Sequence, residues 1–110
     1  MDYSITYFSD AVADQIIDLP DGAAARYIVL TGRMIAIEPH LGEPHTRALG
    51  DGLFELRLKG AEGIARVFYC TLPGRRIVIL HAFVKKSRRT PPRERELAKT
   101  RMREVKRANT

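Results

Sequence analysis

Three apolar runs in the middle of the chain, separated only by short turn signals, leave it few ways to fold. Phe54, Leu56 and Leu58 alternate with Glu55, Arg57 and Lys59, the period of a strand with one buried and one charged face. Residues 60–63, bounded by glycines, turn the chain. Residues 64–71 follow as a second strand that carries one charge, Arg66. Pro73-Gly74 turns the chain again, and residues 77–84 are apolar apart from His81. That last run suits a central strand covered on both faces. Connections this short predict an antiparallel meander.

Helical spacing brackets the meander. Residues 3–8 alternate and read as an opening strand. Ser9 caps a helix whose apolar face is Val12, Ala13, Ile16, Ile17 and Leu19, and Pro20 stops it. Asp21 offers a second cap. Tyr27, Leu30, Met34, Ile37 and Leu41 then predict a second helix, to about Glu38, so that the two form a helical hairpin. Residues 39–52 read as a loop with a short strand at 46–49, closed by the turn signal Asp51-Gly52. After the last strand comes the basic run Lys85-Lys86-Ser87-Arg88-Arg89. Thr90 and Pro91 predict the start of a third helix over 91–108, with a thin apolar stripe of Leu97, Ala98, Met102 and Val105. Strands and helices segregated in this way indicate a single α+β domain over residues 1–110.

The charge is unevenly spread. The net charge is +6, but residues 1–84 carry −2 and residues 85–110 carry +8. Such a block favours a polyanion, whether nucleic acid, ribosome or an acidic protein, unless it is simply a solvated helix face. No apolar run approaches the roughly 18 residues that span a bilayer, and no aromatic face accompanies the charge, so a membrane role is not expected. The N-terminus lacks the pattern of a signal peptide. Cys70 is the sole cysteine and lies in an apolar strand; core packing is the expectation for it, and a cytoplasmic setting for the chain.

Alternation places Glu55, Arg57 and Lys59 on one strand face. If Arg66 pairs near Arg57, two guanidiniums meet there, with Lys85 and Lys86 leaving the next strand nearby. Clustered cations repel, and a polyanionic ligand is the natural compensation. The plain alternative is that Glu55 pairs with Arg57 or Arg66 on a wet face. His81 reads as a core or cleft histidine before a catalyst. His40 and His45 have no further histidine or cysteine at ligand spacing, so neither a metal site nor a cofactor is expected.

The joint pattern Gly52-Leu53-Phe54-Glu55-Leu56-Arg57, Ala65-Arg66-Val67-Phe68-Tyr69, Ile79-Leu80-His81-Ala82-Phe83-Val84-Lys85-Lys86, Thr90-Pro91 and Glu94-Arg95-Glu96-Leu97-Ala98 resembles the phage-derived, HigB-like branch of the RelE/ParE toxin superfamily. The resemblance implies a RelE-like fold: an N-terminal helical hairpin packed on a twisted antiparallel sheet, with a basic C-terminal helix. It implies the toxin of a type II toxin–antitoxin system. Such a toxin would be a metal-independent endoribonuclease that cleaves messenger RNA on the ribosome and inhibits translation. Its partner would be a cognate antitoxin, a small helix-turn-helix protein. Arg57 and Arg66 match the family's basic strand positions, and Lys85 and Lys86 stand where a further basic residue follows the last strand.

On this basis Glu55, Arg57, Arg66 and Lys86 are the candidate catalytic residues. Lys59, Lys85, Arg88, Arg89, Lys99, Arg103 and Lys106 are the candidates for RNA binding. Some RelE enzymes use a late tyrosine in proton transfer; this chain has none after Tyr69. Two rival expectations stand beside the nuclease: a ParE-like inhibitor of DNA gyrase, and a non-catalytic basic nucleic-acid-binding protein.

Overall fold

The computed structural model describes residues 2–86 and 88–109. Met1, Ser87 and Thr110 lie outside the described residues, Ser87 in the middle of the basic run. In chain order the elements are β1 (Ser4–Tyr7), α1 (Asp10–Ile17), α2 (Asp21–Ala36), β2 (Thr46–Gly50), β3 (Leu53–Gly60), β4 (Gly63–Leu72), β5 (Arg76–Lys85) and α3 (Pro92–Ala108). The expected meander is present: β2, β3, β4 and β5 pair antiparallel in succession. Asp51 (φ 57°) and Gly52 (φ 90°) make the tight turn between β2 and β3. Left-handed backbone at both positions matches the right-handed twist of the strands they join.

The expectation of a wholly antiparallel sheet is corrected by β1. It lies parallel to β5, with Ile5 opposite Ile77 and Tyr7 opposite Ile79, and the sheet runs β1-β5-β4-β3-β2. A strand separated from its neighbour by most of the chain is free of the hairpin geometry that makes sequential strands antiparallel. The fold is therefore α+β, with three helices and a five-stranded mixed sheet among the described residues.

Both faces of the sheet are covered. Leu56, Leu58, Val67, Tyr69, Ile77 and Ile79 pack under α1 and α2, while Leu53, Phe68, Cys70, Val78 and Leu80 pack under Ala98 and Met102 of α3. α1 rests chiefly on β5 and α2 on β3, so each helix is held by its own strand. Cys70 is fully buried, and burial pushes its thiol pKa up, as a packing residue requires. Among the described residues no helix is long and apolar enough to cross a membrane.

Helix starts follow the prolines more than the expected caps. Ser9 does cap α1, accepting from the Val12 amide at 3.3 Å. Asp21 and Thr90 do not act as caps. Pro20 holds extended backbone before α2, and Asp21 sits in the first turn, where a carboxylate complements the helix dipole. Pro91 precedes Pro92 and is kept out of the helical region by it, so α3 begins one residue late. Leu97, expected on the apolar stripe, faces outward, while Ala98 and Met102 carry the contact.

One irregularity positions the site. The β4–β5 register shifts between Phe68 and Tyr69, which pair with His81 and Ile79, leaving Leu80 as the extra residue. Such a bulge reverses the alternation beyond it. Ile77 and Ile79 face α1 and α2, but past the bulge Phe83 packs on the α3 side.

Candidate functional site

The α3 side of β3 and β4 carries the charges. Arg57 stands opposite Arg66 in the ladder, so the two guanidiniums do meet on one face. Glu55 lies between them and is buried: its Oε1 is 2.6 Å from Arg66 Nε and 3.8 Å from Arg57 Nε. Arg66 Nε is also without a directed hydrogen bond among the described residues. The short contact is an ion pair. Burial pushes the Arg66 pKa below its ordinary value; Glu55 pulls it back, and Arg57 and Arg47 push it further down.

These residues floor a cleft of about 710 Å³ whose walls include Arg47, Lys85, Arg88, Arg89 and Arg95. Among the described residues, seven cationic side chains line the cleft beside one carboxylate, Glu55; of these, Arg47 also lies 3.7 Å from the exposed Glu43. A phosphodiester chain complements this excess of positive charge and meets planar guanidiniums that suit its oxygens. A side lobe of about 310 Å³ opens between Leu49, Phe68, Pro92, Arg95 and Lys99. An outer lobe of about 560 Å³ is lined by Arg57, Arg66, Lys85, Lys86 and Arg88.

The candidate residues separate by position. Glu55, Arg57, Arg66 and Lys85 converge in the cleft, with Arg88 and Arg89 at its rim. Lys86 is exposed and lines the outer lobe, outside the lining of the cleft itself. Lys85 is half-buried at the end of β5, and its pKa is lowered by burial first and then by Arg66; Glu55 pulls it partly back, and Arg57 adds the smallest downward push. Lys59 points outward beyond the cleft. Lys99 lines the side lobe and lies 3.6 Å from Glu96. Arg103 and Lys106 border a different depression, of about 440 Å³, beside Asp51 and Met102; Lys99 borders it too and joins the two surfaces.

Two cleft residues escaped the sequence reading. Arg47 stands opposite Glu55 from β2, a strand too short for its alternation to be legible. Arg95 donates from Nη2 to the Leu49 carbonyl at 3.0 Å. It could have been found: Arg95, Ala98 and Met102 share one helix face, the face that packs on the sheet.

The histidines and tyrosines lie elsewhere. His81 is buried beneath the first turn of α3, where Nε2 donates to the Glu94 carboxylate, and its ring lies beside Phe83. Tyr69 faces away from the cleft, and its hydroxyl donates to the Pro39 carbonyl at 2.8 Å. That leaves His40 Nδ1 to donate to the Tyr69 oxygen at 3.2 Å, its ring stacked on Phe54. Burial lowers the His40 pKa and raises that of Tyr69. Among the described residues no three His, Cys, Asp or Glu side chains gather as an ion would need.

Residues 14–103 match the family model described as phage derived protein Gp49-like (DUF891). That family is associated with RelE-like toxins of toxin–antitoxin systems. No curated protein matches the chain.

Proposed function

The chain belongs to the phage-derived Gp49-like family, and on that premise we propose that it is a toxin of the RelE/HigB type that cleaves translated messenger RNA without a metal ion. The observation that carries this reading is the Arg57–Arg66 pair held around buried Glu55 at the floor of a cationic cleft. A surface meant only to attract nucleic acid has no use for a guanidinium that is buried and oriented by a carboxylate. Transition-state stabilisation does require such preorganisation.

In this reading the RNA supplies the nucleophile. The 2′-hydroxyl attacks the adjacent phosphorus, and the P–O5′ bond breaks as the 2′,3′-cyclic phosphate forms. Alignment of the strand is the first requirement. Arg57 and Arg66 donate to the non-bridging oxygens, where charge builds in the pentacoordinate state. Glu55 is a positioning residue, since Arg66 and Arg57 already occupy its Oε1. Lys85, at the cleft wall with a lowered pKa, takes the proton of the 2′-hydroxyl as its neutral amine, and the resulting ammonium returns a proton to the leaving 5′-oxygen. Lys86, exposed at the outer lobe, contributes attraction. Ribosome association and control by a helix-turn-helix antitoxin complete the proposal. Inducing the chain in a bacterial host, with and without its neighbouring gene, tests it. Arrested translation with messages cut inside reading frames, relieved by the neighbour, is expected. Unimpaired growth and intact messages beside folded protein would overturn it.

A further inference from the structure

Among the described residues nothing packs on the outward face of α2. Tyr27, Leu30 and Met34 are buried on the sheet side, yet Ile28 is 71% exposed and Val29 55% exposed on the other. Ala25, Gly32 and Ala36 continue that stripe at helical steps, and Ile37, 70% exposed, extends it past the helix end. Large apolar side chains gathered in one stripe mark an interaction surface.

Gly32 points to a close-fitting occupant. A Cβ built there would meet nothing within 4 Å, so the chain's own packing has no need of glycine. Glycine inside a helix costs about 1 kcal/mol relative to alanine, and its use is to let another backbone approach. Along one edge of the stripe stand Arg26 and Arg33, both exposed and neither in an ion pair among the described residues.

We propose that this face docks an amphipathic helix of the cognate antitoxin, apolar toward Ile28, Val29 and Gly32 and acidic along the edge that meets Arg26 and Arg33. The proposal rests on reading the chain as an antitoxin-controlled toxin. Helix-on-helix recognition uses this i, i+3, i+4, i+7 set of anchors. The charges oppose a second copy as occupant, because an antiparallel pairing of two α2 helices would lay Arg26 and Arg33 against the same arginines. The cleft lies on the other side of the sheet, so the docked helix is an anchor that leaves the cleft uncovered.

The test measures binding of the small protein encoded beside this chain to wild type, to Gly32→Leu and to the double variant Arg26→Glu/Arg33→Glu. Each variant should bind at least tenfold more weakly, with melting temperature and RNA cleavage of the free chain retained. Hydrogen exchange should slow over residues 25–36 in the wild-type complex. Unchanged affinity in both variants, with the wild type still neutralised by its neighbour, overturns the docking site and leaves the toxin reading standing. Neither binding nor neutralisation of the wild type overturns both. A dimer of the chain that is lost in Gly32→Leu assigns the face to a second copy and overturns the proposal.

Discussion

Arg66 Nε lies 2.6 Å from Glu55 Oε1 across the β3–β4 ladder, with both side chains more than nine-tenths buried. Removing one partner of a buried pair strands the other charge, which costs about 3–5 kcal/mol. Glu55→Ala should therefore lower the unfolding free energy by about 3 kcal/mol in urea titration. The double variant Glu55→Leu/Arg66→Met should return to within about 1 kcal/mol of wild type and stay inactive. A Glu55→Ala protein as stable as wild type would contradict this arrangement.

Arg57 and Arg66 are aimed by the sheet, so their loss should act on chemistry more than on binding. Arg57→Ala and Arg66→Ala should each lower single-turnover cleavage by about 10²–10³. Arg66→Lys should recover little, since an ammonium cannot reproduce the planar fork. Wild-type rates at saturating enzyme in either alanine variant would remove that residue from the mechanism.

The pH profile reports on Lys85. Burial and the neighbouring arginines favour its neutral form, so its folded pKa lies below that of a free lysine. Acting as a base, it should give a rate that rises with pH through that lowered pKa. Arg57→Gln removes one of the depressing charges and should move the rising limb to higher pH. The same shift bears on stability: between the lowered folded pKa and the ordinary unfolded one, the unfolded chain binds more protons. The Lys85 contribution to stability therefore rises with pH across that window and is lost as pH falls through the folded pKa. Lys85→Ala should abolish the limb, whereas Lys86→Ala should leave its position unchanged.

Arg103 and Lys106 border a depression outside the cleft, and Lys99 bridges the two. Substituting Arg103 or Lys106 by alanine should weaken RNA binding and reduce its log–log salt slope by about 0.7 per lost phosphate contact, with no change in rate once bound. Loss of chemistry at saturation in either variant would place that residue in the active centre.

The central site was legible because alternation and short turns leave little freedom. Glu55 and Arg57 could be put on one face from period two alone; Arg66 joins them only if it pairs with Arg57 across the turn at residues 60–63, and the β3–β4 register supplies that pairing. Lys85 was harder. Strict alternation along β5 would group it with Ile77 and Ile79 and would give the charged face to Lys86. The extra residue at Leu80 reverses that order and brings Lys85 into the cleft. Nothing in an apolar run announces a bulge. β1 and Arg47 escaped for a related reason: both depend on pairings of short strands, which local pattern does not encode. The exposed stripe on α2 was visible as residues but not as a surface, because burial on one helix face says nothing about what covers the other.

The most direct test of the nuclease reading is single-turnover cleavage of messenger RNA on programmed ribosomes, with divalent ions chelated and ribosome integrity controlled. The prediction is cleavage that yields 2′,3′-cyclic or 3′-phosphate ends, persists in chelator, and falls by about 10²–10³ in Arg66→Ala. Intact message, 3′-hydroxyl ends, or a strict divalent requirement of the protein itself would contradict it.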